Sequence, residues 1–209
     1  MKKFIFTVPR QNPQNLTSDI YKSADSKKLE NNISTCFPIL PVISSYCDNN
    51  EEIQIIALVA TEKDNEKVHY CNCEANLKKF EDELKNFCSS KQITSKISVI
   101  DVAFNETLET HLNTYYEIIE AIDDGDTIFA DITYGSKPLP IVEMIAISFC
   151  TKNKNNVMLE CMCYGEMDHE TKEKRLFDVT SLFYLDEISS MLSQSKISNP
   201  QKLIKGLIK

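Results

Sequence analysis

Apolar and polar positions fall into blocks that switch between the strand and helix periods along the chain. The first block is Phe4-Ile5-Phe6-Thr7-Val8, a short β-rich run that Pro9 ends. Residues 9 to about 35 are polar, with Pro13 and many Asn, Ser and Lys, and predict a long excursion. The stretch Phe37-Pro38-Ile39-Leu40-Pro41-Val42-Ile43 predicts a helix start, because its prolines are tolerated only in or before a first turn. From Ile53 to Ala60 the chain is almost continuously apolar and of strand length, the mark of a strand covered on both faces. Leu77, Phe80, Leu84, Phe87 and Cys88 then recur at helical spacing, with Lys78, Lys79, Glu81, Asp82, Glu83 and Lys85 on the other side. A third strand follows at Ile97 to Val102. The stripe Leu108, Leu112, Tyr115, Ile118, Ile119 and Ile122 makes a helix that Gly125 is placed to stop.

The second half repeats the alternation. Thr127 to Ile132 predicts a fourth strand, Ile141 to Phe149 a mostly buried helix, and Val157 to Tyr164 a fifth strand. A charged, hairpin-like loop from Gly165 to Lys174 leads to a sixth strand at Leu176 to Val179. A last amphipathic helix carries Leu182, Phe183, Leu185, Ile188, Met191 and Leu192. This order predicts an α/β, Rossmann-like domain over residues 1–194, a mostly parallel six-stranded sheet with helices on both faces, and a short amphipathic tail at 195–209. Ligands of such sheets lie beyond the carboxyl ends of the strands, near the point where strand order reverses. The segments to search are therefore 9–13, 61–64, 103–106 and 133–138.

Composition narrows the function classes. With 42% hydrophobic and 26% charged residues in 209, the chain is an ordinary globular one. It has no apolar run of the roughly 18 residues that a membrane-spanning helix needs and no signal-peptide core, so a cytoplasmic location is expected. Its 4 glycines (Gly125, Gly135, Gly165 and Gly206) compare with about 15 at average usage. None is close enough to another for G-x-G-x-x-G, a Walker A loop or G-x-S-x-G. A net charge of −8 argues against coating extended nucleic acid, while leaving room for a small anion in a local pocket. The 8 cysteines lack zinc-knuckle spacing, and Cys161 and Cys163 share one face of a strand, so reduced, buried thiols are expected. His69, His111 and His169 are too scattered for a metal or a triad, and neither metal nor cofactor is expected. The run Asp123-Asp124-Gly125-Asp126 reads as a solvated turn of Asx character.

The most informative stretch is Asp131-Ile132-Thr133-Tyr134-Gly135-Ser136-Lys137-Pro138-Leu139-Pro140, which passes directly from a buried strand to a helix. Gly135 can adopt the positive φ of a sharp turn, Thr133 and Ser136 add hydroxyl donors, and Lys137 adds a cation. The helix that follows directs free N–H groups and its positive dipole end at the same spot. These residues suit an anion site; they also suit a plain turn and helix start.

The pattern Asp131-Ile132-Thr133-x-Gly135-x-Lys137-x-x-Pro140 resembles the D-[I/L]-T-x-G-x-[R/K]-x-x-P signature of CARF domains, the CRISPR-associated Rossmann folds, in its usual place after the fourth strand. The chain departs from it in having Lys137 where many members have Arg, which loses bidentate phosphate geometry, and Ser136 where an apolar residue is common. The resemblance implies a homodimer whose two equivalent faces bind one ring of cyclic oligoadenylate, the second messenger of type III CRISPR antiviral defence. It places Pro9, Arg10 and Gln11, together with Thr133, Tyr134, Gly135, Ser136 and Lys137, around the ligand, and Thr61 after the second strand is added to that set. Tyr134 either stacks on adenine or packs. Three readings follow. The first is a sensor that passes occupancy to an effector domain or partner protein, with the tail (Leu203, Ile204, Leu207, Ile208) as a contact. The second is a ring nuclease in which a ribose 2′-OH attacks phosphorus without a metal, with Arg10, Ser136 and Lys137 as catalytic residues. The third is a transcription regulator or small-molecule nucleotide enzyme on the same fold. Ring size, four or six adenylates, is left open.

Overall fold

A computed structural model of the chain describes residues 1–60, 68–102, 106–168, 170–195 and 199–207. One sheet is formed by β1 (Lys2–Thr7), β2 (Asp19–Ser23), β3 (Ser34–Thr35), β4 (Glu52–Val59), β5 (Thr94–Asp101), β6 (Thr127–Asp131), β7 (Met158–Met167) and β8 (Lys174–Asp178). The helices are α1 (Ile39–Tyr46), α2 (Val68–Lys91), α3 (Leu108–Ala121), α4 (Leu139–Asn153), α5 (Thr180–Gln194) and α6 (Pro200–Leu207). The strand order is β3-β2-β8-β7-β6-β1-β4-β5, with neighbours parallel except β2 against β3 and β7 against β8.

Alternation along the central strands splits the core into two layers. Phe4 and Phe6 of β1 point to one face with Ile53, Ile55 and Ala57, where Ile39 and Ile43 of α1 and Phe80 and Leu84 of α2 cover them. Phe6 and Phe80 meet with ring centroids 4.4 Å apart. Ile5, Ile56, Leu58 and Ala130 point to the other face, against Ile118 of α3, Leu139 and Ile147 of α4, and Phe183 of α5. Helices therefore cover both faces, as the buried runs of the sequence require.

Four expectations are corrected. The sheet has eight strands, not six, because the polar excursion holds β2 and β3 near one edge. Of β2's five residues only Tyr21 is buried, so its sequence carries no strand period. The loop expected from Gly165 to Lys174 is shorter, since β7 and β8 stay paired out to Met167 and Lys174. The expected mostly buried helix at 141–149 is α4, but Ile141, Ile145 and Phe149 face outward at 55, 51 and 40% exposure. The acidic run at 123–126 is a solvated turn only over 123–125, because Asp126 is 2% exposed and pairs at 2.7 Å with Lys3, itself buried at the start of β1. Lys3 also binds Asp123 at 2.7 Å, so a buried cation there needs two carboxylates.

β1 is the topological hinge. The chain adds β4 and β5 on one side of it, then returns to place β6 and β7 on the other. Strand order reverses between β1 and β6, and the crevice beyond their carboxyl ends is where a ligand of such a sheet is expected. Among the described residues, no helix is long and apolar enough to cross a membrane.

Candidate functional site

The two segments that meet at this crevice are the loop after β1 and the turn after β6. Asp131, 1% exposed, ends β6 and organises the turn: its Oδ1 accepts from the Thr133 N–H at 2.9 Å and from the Thr133 hydroxyl. The same hydroxyl accepts from the Gly165 N–H of β7 at 2.7 Å. Gly135 lies at φ +110°, and a Cβ there would come within 3.0 Å of Leu139 and 3.3 Å of Thr7. The glycine is thus needed for both conformation and space.

The loop after β1 is held from α2. Asn76, fully buried, donates to the carbonyls of Pro9 at 2.7 Å and Gln11 at 2.9 Å, and Asn72 donates to that of Arg10 at 3.0 Å. Cys73 Sγ adds a contact to the Pro9 carbonyl. Three consecutive carbonyls are tied down, which fixes the loop's path past the crevice. Residues 9–11 and 133–136 then line one shallow cavity of about 250 Å³. A second cavity of about 430 Å³ adjoins it, sharing Gln11, Thr133 and Tyr134.

Pro9, Arg10, Gln11, Thr133, Tyr134, Gly135 and Ser136 are therefore brought together as expected from the sequence, but several do other work. The Thr133 hydroxyl is committed to Asp131 and Gly165. Tyr134 packs on the core and its hydroxyl reaches the Cys36 carbonyl at 3.5 Å, so packing describes it. Ser136 Oγ donates to Glu106 at 3.0 Å. Lys137 is exposed and is not part of the cavity wall. The expected free N–H groups of α4's first turn are mostly missing: Pro138 and Pro140 have none, and those of Leu139 and Ile141 are spent on Ser136 and Pro138 carbonyls. Instead, the N–H groups of Gly135, Ser136 and Lys137 make no hydrogen bond among the described residues. Successive unpaired amides around a positive-φ residue form an anion-binding concavity. Thr61 and residues 62–64 lie outside the described residues, as do 103–105 and His169, and the side chain of His69 is likewise not described.

Glu106 lies in the 103–106 segment to search but has no role in the sequence reading, and His111 is set aside there as scattered; the contact between them is what the sequence does not show. His111 Nε2 lies 3.4 Å from Glu106 Oε2, the same oxygen that accepts the hydrogen bond from the Ser136 hydroxyl. The carboxylate sits between hydroxyl and imidazole, so the three are not a nucleophile–base–acid relay, in which the imidazole must be central. Asn76 was missed too, although it had a signal: it is a polar residue on the stripe Cys73, Asn76, Phe80, Leu84 that the helix buries.

Electrostatics behind the turn are unusual. Burial pushes the Asp131 carboxyl up to about 6, against the pull of its bonds from Thr133. Glu143 of α4, also 1% exposed, is driven well above the usual carboxylate range by burial and by the nearby Asp131. Among the described residues, both Glu143 oxygens and Thr7 Oγ1 are buried with no hydrogen-bond partner. Among the described residues no cluster of three His, Cys, Asp or Glu could hold a metal. Cys161 and Cys163 lie buried in the core, unbridged. No protein-family model matches the chain, and no curated protein matches it.

Proposed function

We propose that the chain is a Rossmann-like domain of the CARF type that binds cyclic oligoadenylate as a sensor in type III CRISPR antiviral defence. The observation that carries the reading is the meeting of the turn that bears the Gly135 and Ser136 amides with the clamped 9–11 loop, across the point where strand order reverses. A phosphate fits that concavity, and Arg10, half-buried in the same wall, adds a cation. Glu106 occupies the Ser136 hydroxyl and moves aside to His111 when an anion arrives.

Two copies form the binding unit. Leu108, Leu112 and Tyr116 of α3 and Ile141, Ile145 and Phe149 of α4 recur at helical spacing and are 40 to 74% exposed. The two helices pack side by side, so these residues make one apolar face. A patch of six large side chains is more than scattered surface residues provide and marks an interface. Both helices start at the crevice, α3 beside Glu106 and α4 after the turn. An isologous contact through this face places two crevices side by side, the arrangement a two-fold ring needs.

The Glu106–His111 pair beside Ser136 favours ring cleavage as a second reading. There a ribose 2′-OH gives its proton to that pair and attacks the adjacent phosphorus. The leaving 5′-oxygen takes that proton back from the pair, and the products are a 2′,3′-cyclic phosphate and a 5′-hydroxyl with no water consumed. Arg10, Ser136 and Lys137 are the residues this reading assigns to the phosphate charge. The test is to mix the protein with labelled cyclic tetra-adenylate and cyclic hexa-adenylate, reading binding and products together. Binding of one ring supports the sensor, linear products support the nuclease, and failure of both rings to bind overturns both.

A further inference from the structure

The two edges of the sheet differ. One ends on β3, which is two residues long, and the other on β5, which pairs with β4 over eight residues and has no strand beyond it among the described residues. The Thr94 N–H donates to the Glu51 carbonyl at 2.9 Å and the Val102 N–H to that of Val59 at 2.8 Å, so the even-numbered residues face β4. By alternation, Ser95, Ile97 and Val99 direct their N–H and C=O groups outward, where they meet no partner among the described residues. No proline and no bulge interrupts this row, so it is a template for one more strand.

A groove of about 500 Å³ runs beside this edge, between β5 and α2. Ser95 and Ile97 line it from the strand, and the buried Leu84, Cys88 and Ile93 make it apolar. Lys96 is exposed on the opposite face of β5 and has no ion-pair partner among the described residues. An added strand would turn its side chains alternately into the groove and towards Lys96. We propose that the β5 edge takes an extended segment of a partner protein, with apolar residues facing the groove and a carboxylate between them facing Lys96. A second β5 suits the edge less well. Opposed residues of an antiparallel pair share a face of the sheet, and the only acid of β5, Asp101, lies on the groove face, away from Lys96. The site does not depend on the ring reading.

The probes are the peptides acetyl-Thr-Val-Glu-Val-Glu-Val-Thr-amide and acetyl-Thr-Val-Lys-Val-Lys-Val-Thr-amide, titrated calorimetrically into the full chain, Val99→Pro and Lys96→Glu. The wild type should prefer the acidic peptide by about two- to fivefold, and Lys96→Glu should reverse the preference. Val99→Pro removes an outward N–H and leaves the β4 ladder whole, so affinity should fall at least about tenfold. Binding of neither peptide, affinity that survives Val99→Pro, or a preference unmoved by Lys96→Glu overturns the proposal. A ligand-free chain whose sedimentation changes in Val99→Pro assigns the edge to a second copy and likewise overturns it. Should Val99→Pro fail to fold, hydrogen exchange of the wild type decides. Slower exchange of the Ser95, Ile97 and Val99 amides with the acidic peptide supports the site, and unchanged exchange refutes it. Because rings are absent from these measurements, failure of the ring reading leaves their outcome intact.

Discussion

Gly135 and Glu106 act on the same few ångströms of the crevice, one by lacking a side chain and the other by supplying a charge. Gly135→Ala puts a Cβ against Leu139 and Thr7 in a left-handed conformation, and should destabilise the fold by about 1–3 kcal/mol in urea denaturation. A change below about 0.5 kcal/mol would mean the turn tolerates a side chain and is not shaped as described. Glu106→Gln should tighten ring binding about two- to fivefold, the effect of removing one exposed like charge beside a phosphate. Weaker binding in this variant would show that the carboxylate assists the ligand. Asp131 and Glu143 set a pH dependence. Their folded pKa values are raised, so the protonated forms favour the native state and that contribution is lost as pH climbs from the unfolded value of about 3.8 through about 6 for Asp131, with Glu143 acting in the same direction. Glu143→Gln should therefore narrow the difference in melting temperature between pH 5 and pH 8, and an unaltered difference would remove Glu143 as its source.

At the scale of elements, α2 connects the core to the crevice. Its stripe packs Phe80 and Leu84 while Asn76 holds the Pro9 and Gln11 carbonyls. Asn76→Leu keeps the stripe apolar but leaves two carbonyls unpaired, so stability should fall by about 1–3 kcal/mol and ring affinity should fall with it. Unchanged affinity alongside lost stability would separate the loop from the ligand. The strands that bury both faces, β1, β4, β6 and β7, are plain in the sequence, because long apolar runs leave a strong signal. β2 and β3 were hidden, since near an edge backbone pairing needs no apolar period. For the same reason the site was half legible. Gly135 is dictated by local geometry, whereas the Ser136–Glu106–His111 contacts join residues 30 and 5 positions apart that only the fold brings together. In α4 the period was visible, but not that one of its apolar faces would stay uncovered.

The whole molecule is a three-layered α/β/α body with one apolar face beginning at its crevice. The central claim joins these features: two chains meet through α3 and α4 and share one ring. Sedimentation equilibrium with and without cyclic tetra-adenylate or cyclic hexa-adenylate, on the wild type and Ile145→Asp, tests this most directly. Ile145 is 51% exposed, so the charge should spare the fold while breaking the contact. The account predicts a wild-type dimer that takes up one ring per two chains, and a folded Ile145→Asp monomer that binds at least about tenfold more weakly. A wild-type monomer that binds one ring per chain, or an Ile145→Asp monomer with undiminished affinity, would contradict it.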